Sequence, residues 1–234
     1  MPTLELAIRR KSYRRPGAAA VEAVRDLALS FPQGSVTALL GPSGCGKTTA
    51  LRILMGLDAD FEGEVRHRPA RLGVVFQEPR LLPWRSLGDN LCIVARAAGL
   101  PPPPVEALLA RVGLAGWGAR LPGELSLGMA RRAALARALS VQPDLLVLDE
   151  PFVSLDAATA AQLRGLVGEV LAECGATTVL VTHALEDAAA LADRIAVLTP
   201  RPAGLARLVE WPCDGRPRDV AALQAALDIG RSSI

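Results

Sequence analysis

A glycine-rich segment near the start of the chain has the residue types and spacing that bind a phosphate chain. Gly41 to Thr48 fits the pattern G-x-x-x-x-G-K-[ST], with an apolar run before it and a helix-forming run after it. Its glycines let backbone N–H groups surround an anion, Lys47 can reach the β- and γ-phosphates, and the Thr48 hydroxyl can ligate Mg²⁺. An ordinary glycine-rich turn lacks this combination, so we predict that the segment binds ATP with Mg²⁺. The predicted phosphate loop is Gly41, Pro42, Ser43, Gly44, Cys45, Gly46, Lys47, Thr48 and Thr49.

Two acidic residues follow a second apolar run. Leu145 to Leu148 are apolar, and Asp149 and Glu150 come directly after them. A carboxylate at a strand end can hold Mg²⁺ through water, and the next carboxylate can polarise an attacking water molecule. A solvent-exposed strand end has the same composition, but the upstream phosphate loop favours the chemical interpretation. We predict Asp149 as a metal ligand and Glu150 as the general base of ATP hydrolysis.

Buried strands must bring these groups to one edge of a sheet. The runs 35–40, 145–148 and 177–182 are apolar enough to be buried parallel strands, and each ends at glycine or polar residues. Helix-forming runs alternate with them, for example 47–56, which ends at a glycine. Two further strands are predicted near residues 4–8 and 21–31 from their apolar residues. The alternation predicts an α/β fold with its site at the carboxyl ends of the strands.

Composition excludes several classes of protein. The formal net charge is +2, from 26 basic and 24 acidic residues, so charge gives no reason to expect a nucleic acid partner. The start of the chain does not have the pattern of a secretory signal, and proline and glycine interrupt the longest charge-free stretch, so no transmembrane helix is predicted. The cysteines form no C-x-x-C pair and no cluster with histidine, which indicates neither zinc nor disulfides and suits a reducing cytoplasm. The four cysteines are Cys45, Cys92, Cys174 and Cys213, and three of them are expected to be small buried residues.

A third segment narrows the class of ATP-binding protein. The signature segment, Leu125 to Arg132, opens an alanine-rich helix upstream of Asp149. The order and spacing of the motifs resemble those of ABC-transporter ATPase subunits from Thr3 to about Pro217. The motifs that carry the resemblance are the phosphate loop, Gln77 in VVFQEP, the signature segment, LLVLDEP, Leu155-Asp156 and His183.

The resemblance implies a more detailed fold. It implies a P-loop NTPase core with a mostly parallel sheet, an N-terminal antiparallel β subdomain and an inserted α-helical subdomain. The predicted boundaries within a single domain, 1–234, are about 1–77 and 141–205 for the β subdomain and core, 78–140 for the helical subdomain, and 206–234 for a C-terminal tail.

The resemblance also implies roles for individual residues. Gln77 would contact Mg²⁺, sense the γ-phosphate and relay its presence to a membrane subunit. His183 would contact the γ-phosphate and hold the attacking water. Ser126 and Gly128 would donate hydrogen bonds to ATP held by a second copy in a head-to-tail dimer, and Asp156 would lie at the dimer seam.

Some positions leave two interpretations open or depart from the family pattern. Tyr13, the only tyrosine, either stacks on adenine or packs at a strand end. Leu127 and Met129 stand where the family has glycine and glutamine, and Val153 stands where serine is more common. A leucine in the turn before a helix must keep φ negative, so we expect a stiffer signature segment that still reaches phosphate.

The stretch from Gln77 to Leu91 and the tail Gly215–Asp219 resemble the nitrate/sulfonate/taurine importer branch. In that branch exposed Leu82, Pro83 and Trp84 would receive a short cytoplasmic helix of a transmembrane permease subunit, whereas packing of Trp84 in the helical subdomain is the alternative. The expected partners are a second copy, this permease and, indirectly, a solute-binding protein, at the cytoplasmic face of the cell (inner) membrane.

Two other functions compete with the importer ATPase. A soluble non-transport ABC ATPase, for example an assembly scaffold, would share the nucleotide motifs. The stretch from Lys47 to Ser126 is too short for the long coiled coils of repair ATPases, and the PWRSLGDN stretch favours a permease. A non-hydrolysing nucleotide binder is disfavoured because both Glu150 and His183 are present. The solute cannot be inferred, because this type of subunit does not contact it.

Overall fold

The computed structural model describes residues 2–14, 17, 19–212 and 218–228. The described residues form two compact units. The first unit consists of the residues up to Arg68 and those from Thr177 onward, and the second unit spans Pro69–Ala176. A short 3₁₀ helix, Pro122–Glu124, precedes the fourth α-helix. The other elements, in chain order, are β1 (Leu4–Tyr13), β2 (Val21–Phe31), β3 (Val36–Leu40), α1 (Lys47–Leu54), β4 (Glu62–Arg66), β5 (Leu72–Val75), α2 (Leu87–Ala97), α3 (Val105–Arg111), α4 (Leu127–Leu139), β6 (Leu145–Asp149), α5 (Ala157–Cys174), β7 (Thr177–Thr182), α6 (Leu185–Leu191), β8 (Arg194–Leu198), β9 (Leu205–Glu210) and α7 (Val220–Asp228).

The first unit contains an antiparallel sheet of order β2-β1-β4. Alternation of apolar residues in β1 buries Leu4, Leu6 and Ile8 on one face, which confirms the predicted strand. β4 was not predicted, because its sequence EGEVR is charged and almost wholly exposed. Its pairing with β1, Leu6 opposite Val65, makes it a strand.

The same unit contains a parallel group of strands. β3 pairs in parallel with β7 and with β8, and β9 continues the sheet antiparallel to β8. Every residue of β3 and β7 is buried, as expected for parallel strands covered on both faces. α6 and α7 pack beside this sheet around Trp211, whose indole N–H donates to the Ala189 carbonyl at 2.9 Å.

The second unit joins a parallel strand pair to helices. β5 and β6 pair in parallel, and α4 packs closely against β5. Gly73 permits this approach, because a Cβ there would lie 2.6 Å from the Ala138 carbonyl oxygen. α4 buries most of its alanines, including Ala133, Ala134 and Ala136, and such small side chains let neighbouring backbones come close.

The predicted fold class is confirmed. The described residues contain a mostly parallel sheet, an antiparallel N-terminal sheet and a helical region, as expected. The predicted subdomain boundaries at residues 77, 140 and 205 stay a prediction. None of the helices in the described ranges is long and apolar enough to cross a membrane. Cys45 is buried as predicted, but Cys92 and Cys174 are half-buried because they lie on partly exposed faces of α2 and α5. Cys213 and most of the tail Gly215–Asp219 lie outside the described residues.

Candidate functional site

The phosphate loop joins the buried strand β3 to α1. Gly44 and Gly46 have φ values of 72° and 134°, which favour glycine. At Gly46 a Cβ would lie 2.5 Å from the Ala23 carbonyl oxygen, so only glycine fits there. The N-cap of α1 is Gly46, which has no side chain to cap the helix, and the first turn of α1 carries no acidic residue. The amides of this turn, together with the positive end of the helix dipole, therefore form a cradle for an anion.

Lys47 is the charged group of this loop. Its side chain is buried, and its ammonium donates hydrogen bonds to the carbonyl oxygens of Gly41 at 2.7 Å and Pro42 at 2.9 Å. An ammonium has three N–H donors, so one more remains for an anion held by the loop. The two carbonyls hold a positive charge at the point where a phosphate chain would lie.

His183 lies at the same edge of the parallel sheet as the phosphate loop. Leu40 at the end of β3 is paired with Thr182 at the end of β7, so Gly41 and His183 both follow paired residues. The Thr182 hydroxyl donates to the Asp187 carboxylate at 2.8 Å and accepts the Ala184 N–H at 3.0 Å. These bonds fix the turn that carries the exposed His183 side chain.

Tyr13 lies at the end of β1 and is 41% exposed, which disfavours a packed strand-end aromatic. It borders an open cleft of about 620 Å³ that is also lined by Arg10 and Phe61. The phenol oxygen lies 3.3 Å from Asp58 Oδ2 and 3.4 Å from Thr49 Oγ1, so it links β1 to α1. The cleft leaves room for an aromatic base, whereas stacking itself stays a prediction.

A buried ion pair between Lys11 and Asp58 contacts Tyr13. The Lys11 ammonium lies 4.8 Å from the centre of the Tyr13 ring and 2.9 Å from Asp58 Oδ1. Burial disfavours both charges, but their mutual hydrogen bond, with help from Asp60, outweighs it. As a result the pKa of Lys11 is raised and the pKa of Asp58 is lowered. The pair is nearly hidden from solvent, with 3% and 11% of the two side chains exposed.

We expect Asp58→Asn to lower the free energy of unfolding by about 2 kcal/mol at pH 7, because Lys11 loses a charged partner. The lowered pKa of Asp58 stabilises the fold above about pH 4, and the raised pKa of Lys11 stabilises it below about pH 10. The difference from wild type should therefore shrink as the pH falls through the pKa of Asp58. Urea unfolding at pH 7 and pH 3 measures it. Asp60→Asn removes the more distant partner of Lys11, a 97% exposed carboxylate at 3.3 Å, and should lower the stability much less. Equal stability of Asp58→Asn and wild type at pH 7 would contradict the assignment.

In the second unit, three predicted residues meet at the carboxyl ends of β5 and β6. Val75 pairs with Leu148, so Gln77 and the pair Asp149 and Glu150 follow at the same edge. Asp149 and Glu150 are half-buried and Gln77 is exposed. Glu150 has a φ of 47°, an uncommon conformation for a residue with a side chain. The amide and carboxylate oxygens assembled here are hard ligands of the kind that Mg²⁺ prefers.

The other predicted residues of this unit lie at two adjacent helix N-termini. Ser126 caps α4, because its hydroxyl oxygen accepts the Met129 N–H at 3.3 Å. Asp156 caps α5 by accepting the Thr159 N–H at 3.0 Å, and hydrogen bonds from the Thr159 side chain and from this N–H lower the pKa of Asp156. A Cβ at Gly128 would lie 3.0 Å from Thr159 Cγ2, so the two helix starts are in contact. The Ser126 O–H remains able to donate to an anion.

The structure corrects the expectation about Leu127. This residue is the first of α4 rather than part of a turn before it, and it is 44% exposed. Negative φ is the ordinary helical conformation, so leucine is accommodated there without strain. The signature segment is therefore stiffened by helix formation, with Ser126 as its cap.

The structure disfavours one of the two interpretations of Trp84. Its side chain is 71% exposed, so it does not pack in the helical region. Pro83 is exposed as predicted, but Leu82 is half-buried, because its segment is fastened by the buried Asn90. The Asn90 amide accepts the Leu82 N–H at 2.8 Å and donates to the carbonyls of Leu82, Arg85 and Ser86.

Sequence reasoning missed two residues beside the predicted ones. Asp58 contacts Tyr13, and Arg131 of the signature segment donates to the Pro151 carbonyl next to Glu150. Lys11, the ion-pair partner of Asp58, is one of only two lysines in the chain. This scarcity of lysine was a usable signal for Asp58. No local pattern marks the second, because arginine is frequent in this chain.

Comparisons with known proteins agree with these motifs. A family model described as ABC transporter matches residues 24–153, more than half of the chain. Aliphatic sulfonates import ATP-binding protein SsuB 2 of Burkholderia cenocepacia (strain HI2424) is 44% identical, over 97% of this chain and 86% of that protein. SsuB 1 of Pseudomonas aeruginosa (strain UCBPP-PA14) is 45% identical, over 87% of this chain and 86% of that protein. The solved dimeric ATP-binding cassette MJ0796, in a post-hydrolysis state bound to ADP and Pi, is similar with a TM-score of 0.76 and 26% identity, over 88% of this chain and 98% of that chain.

Proposed function

Because the chain belongs to the ABC transporter family, we propose that it is the ATP-hydrolysing subunit of an importer for sulfonate-type or related small solutes. The observation that carries the nucleotide chemistry is the glycine loop that ends in the buried, hydrogen-bonded Lys47. The import function is supported by the names of relatives that share 44–45% of their residues with this chain.

In this proposal the phosphate loop binds ATP through backbone amides and the Lys47 ammonium. Thr48, Gln77 and Asp149 supply the oxygen atoms that would hold Mg²⁺, directly or through water. When bound, Mg²⁺ neutralises charge that develops on the β- and γ-phosphate oxygens. The exposed Thr48 hydroxyl on the first turn of α1 and the carboxylate at the end of β6 fit such an ion chemically.

Hydrolysis then requires a water molecule to attack the γ-phosphorus. Glu150 accepts a proton from that water, and a positioned general base of this kind contributes roughly 10²- to 10⁴-fold to the rate. His183 contacts the γ-phosphate and holds the water in line. The bond between the γ-phosphorus and the bridging oxygen breaks, ADP leaves with that oxygen, and Lys47 balances the charge.

A second copy completes each site in this proposal. Ser126, Gly128 and Asp156 lie together at the starts of α4 and α5, where helix N-termini attract anions. Two copies arranged head to tail would place Ser126 and Gly128 of one copy against the γ-phosphate bound by the other. The dimeric state of the similar cassette MJ0796 supports a dimer.

The exposed Trp84 segment is proposed to receive the permease at the cytoplasmic face of the inner membrane. We expect Trp84→Ala to keep basal ATP hydrolysis and to weaken permease binding by about 2 kcal/mol, roughly 30-fold in Kd, because an exposed aromatic anchor is lost. Recovery of the permease with the tagged chain from native membranes measures the loss. Leu208→Ala, which removes another exposed apolar side chain, is the matched control.

The same purification tests the proposed function. We expect the wild-type chain to recover a membrane permease and, with it, a solute-binding protein that carries a sulfonate or a related small anion. Recovery of a soluble assembly complex without any permease would favour the scaffold alternative and contradict the importer.

A further inference from the structure

Arg131 of the signature segment is buried in a way that stability alone does not explain. Its side chain is 3% exposed, and its Nη1–H donates to the Pro151 carbonyl at 2.9 Å. Its Nε finds no partner among the described residues. Burial lowers the pKa of Arg131. Burying an incompletely paired charge costs free energy, and an apolar side chain of similar volume is often the more stable choice.

The turn that Arg131 contacts is conformationally unusual. Glu150 and Ser154 have φ values of 47° and 63°, and left-handed backbone is unfavourable for a residue that has a side chain. Pro151 has no N–H, so its carbonyl is its single backbone hydrogen-bonding group. That carbonyl is the acceptor of the Arg131 hydrogen bond. The bond therefore holds the Pro151–Phe152 peptide, one residue beyond the left-handed Glu150.

The same helix also contacts the far end of this turn. Gly128 and Arg131 are three residues apart on α4, so they lie on one face of the helix. Gly128 lies against Thr159 at the start of α5, and Arg131 lies against Pro151. One face of α4 is thus connected to both ends of the segment from Glu150 to Thr159.

We propose that Arg131 is a positioning residue for ATP hydrolysis: by holding the Pro151 carbonyl it fixes the left-handed backbone of Glu150 and thereby the direction of its carboxylate. It links the signature segment, which faces the second copy's ATP, to the general base of its own chain. This inference rests on the proposed role of Glu150.

The experiment compares Arg131→Met, Arg131→Lys and the control Arg71→Met in the full chain. Arg131→Met should lower kcat roughly 10- to 100-fold, because a small misplacement of a reacting group has an effect of this size. The Kd for ATP should stay within about twofold, and Tm should be unchanged or higher, because a buried charge is removed. Arg131→Lys keeps a donor and should recover most of kcat. Arg71 pairs with Asp144 at the opposite ends of β5 and β6, and its variant should match wild type.

The same substitution in the Glu150→Gln chain tests whether Arg131 acts through Glu150. In the Glu150→Gln chain, Arg131→Met should cause no further loss of single-turnover rate, because both changes act through one group. Wild-type kcat in Arg131→Met, or a loss of ATP affinity and Tm in place of kcat, would overturn the inference. If Arg131→Met fails to fold, Arg131→Gln, whose amide is too short to replace the guanidinium, is expected to show the same loss of kcat. Wild-type turnover in Glu150→Gln would instead overturn the proposed function, and Arg131 positioning with it.

Discussion

The Glu150→Gln variant is expected to bind ATP with nearly wild-type affinity and to lose roughly 10³-fold in turnover, because glutamine cannot accept the proton of the attacking water. Glutamine has almost the same shape as glutamate, so the turn after β6 should keep its conformation. ATP that binds without being hydrolysed should hold two copies together. Phosphate release measures the first effect, and ATP-dependent dimerisation in size-exclusion chromatography measures the second.

Glu169→Gln is the matched control for this substitution. Glu169 is an exposed residue of α5 in the same unit, and its variant should hydrolyse ATP like wild type and form no stable dimer. Wild-type turnover in Glu150→Gln would refute the general-base assignment. An inactive Glu150→Gln chain that does not dimerise with ATP would leave the assignment in place and contradict the dimer.

Lys47→Ala should abolish measurable turnover and also weaken ATP binding, which distinguishes it from Glu150→Gln. The variant loses the ammonium that the Gly41 and Pro42 carbonyls hold at the phosphate loop. Groups that stabilise charge in the transition state commonly contribute at least 10²-fold to the rate. Phosphate release and nucleotide binding by calorimetry measure the two losses.

Arg52→Ala, an exposed basic residue later on the same helix, is the control for Lys47→Ala and should retain activity. Retained turnover in Lys47→Ala would show that the phosphate loop does not supply the charge proposed here. It would also remove the observation on which the nucleotide chemistry rests.

The sequence predicted the strands whose apolar residues are all buried. β3, β6 and β7 are apolar runs that end in glycine, acidic or histidine residues, so both their burial and their functional ends could be inferred. β4 and β9 contain charged residues and are partly exposed, and their identity as strands depends on pairing with β1 and β8. Such pairing joins residues that are distant in sequence, so local composition does not reveal it.

The same distinction applies to the candidate site. The phosphate loop is one contiguous motif, and its strand, glycines and helix all predict a phosphate-binding site. By contrast, the Lys11–Asp58 pair joins residues 47 positions apart, and the Arg131–Pro151 bond joins residues 20 positions apart. The left-handed backbone at Glu150 could not be predicted either, because no glycine or asparagine marks it.

Leu127 shows how local structure can change the meaning of a departure from a motif. In the sequence, a leucine in place of glycine suggested a restricted turn. In the structure the helix begins at that residue, so the substitution lies where negative φ is normal. Ser126 and Gly128, the two residues expected to contact phosphate, keep their places on either side of it.

Mixing two inactive variants tests most directly whether each ATP is hydrolysed between two copies. Lys47→Ala disables the phosphate loop, and the double variant Ser126→Ala, Gly128→Asp disables the signature segment. A mixed dimer contains one site with both parts intact, so mixing the two inactive proteins should restore part of the wild-type phosphate release. No recovery on mixing, or normal turnover by the Ser126→Ala, Gly128→Asp chain alone, would contradict hydrolysis at a site shared by two copies.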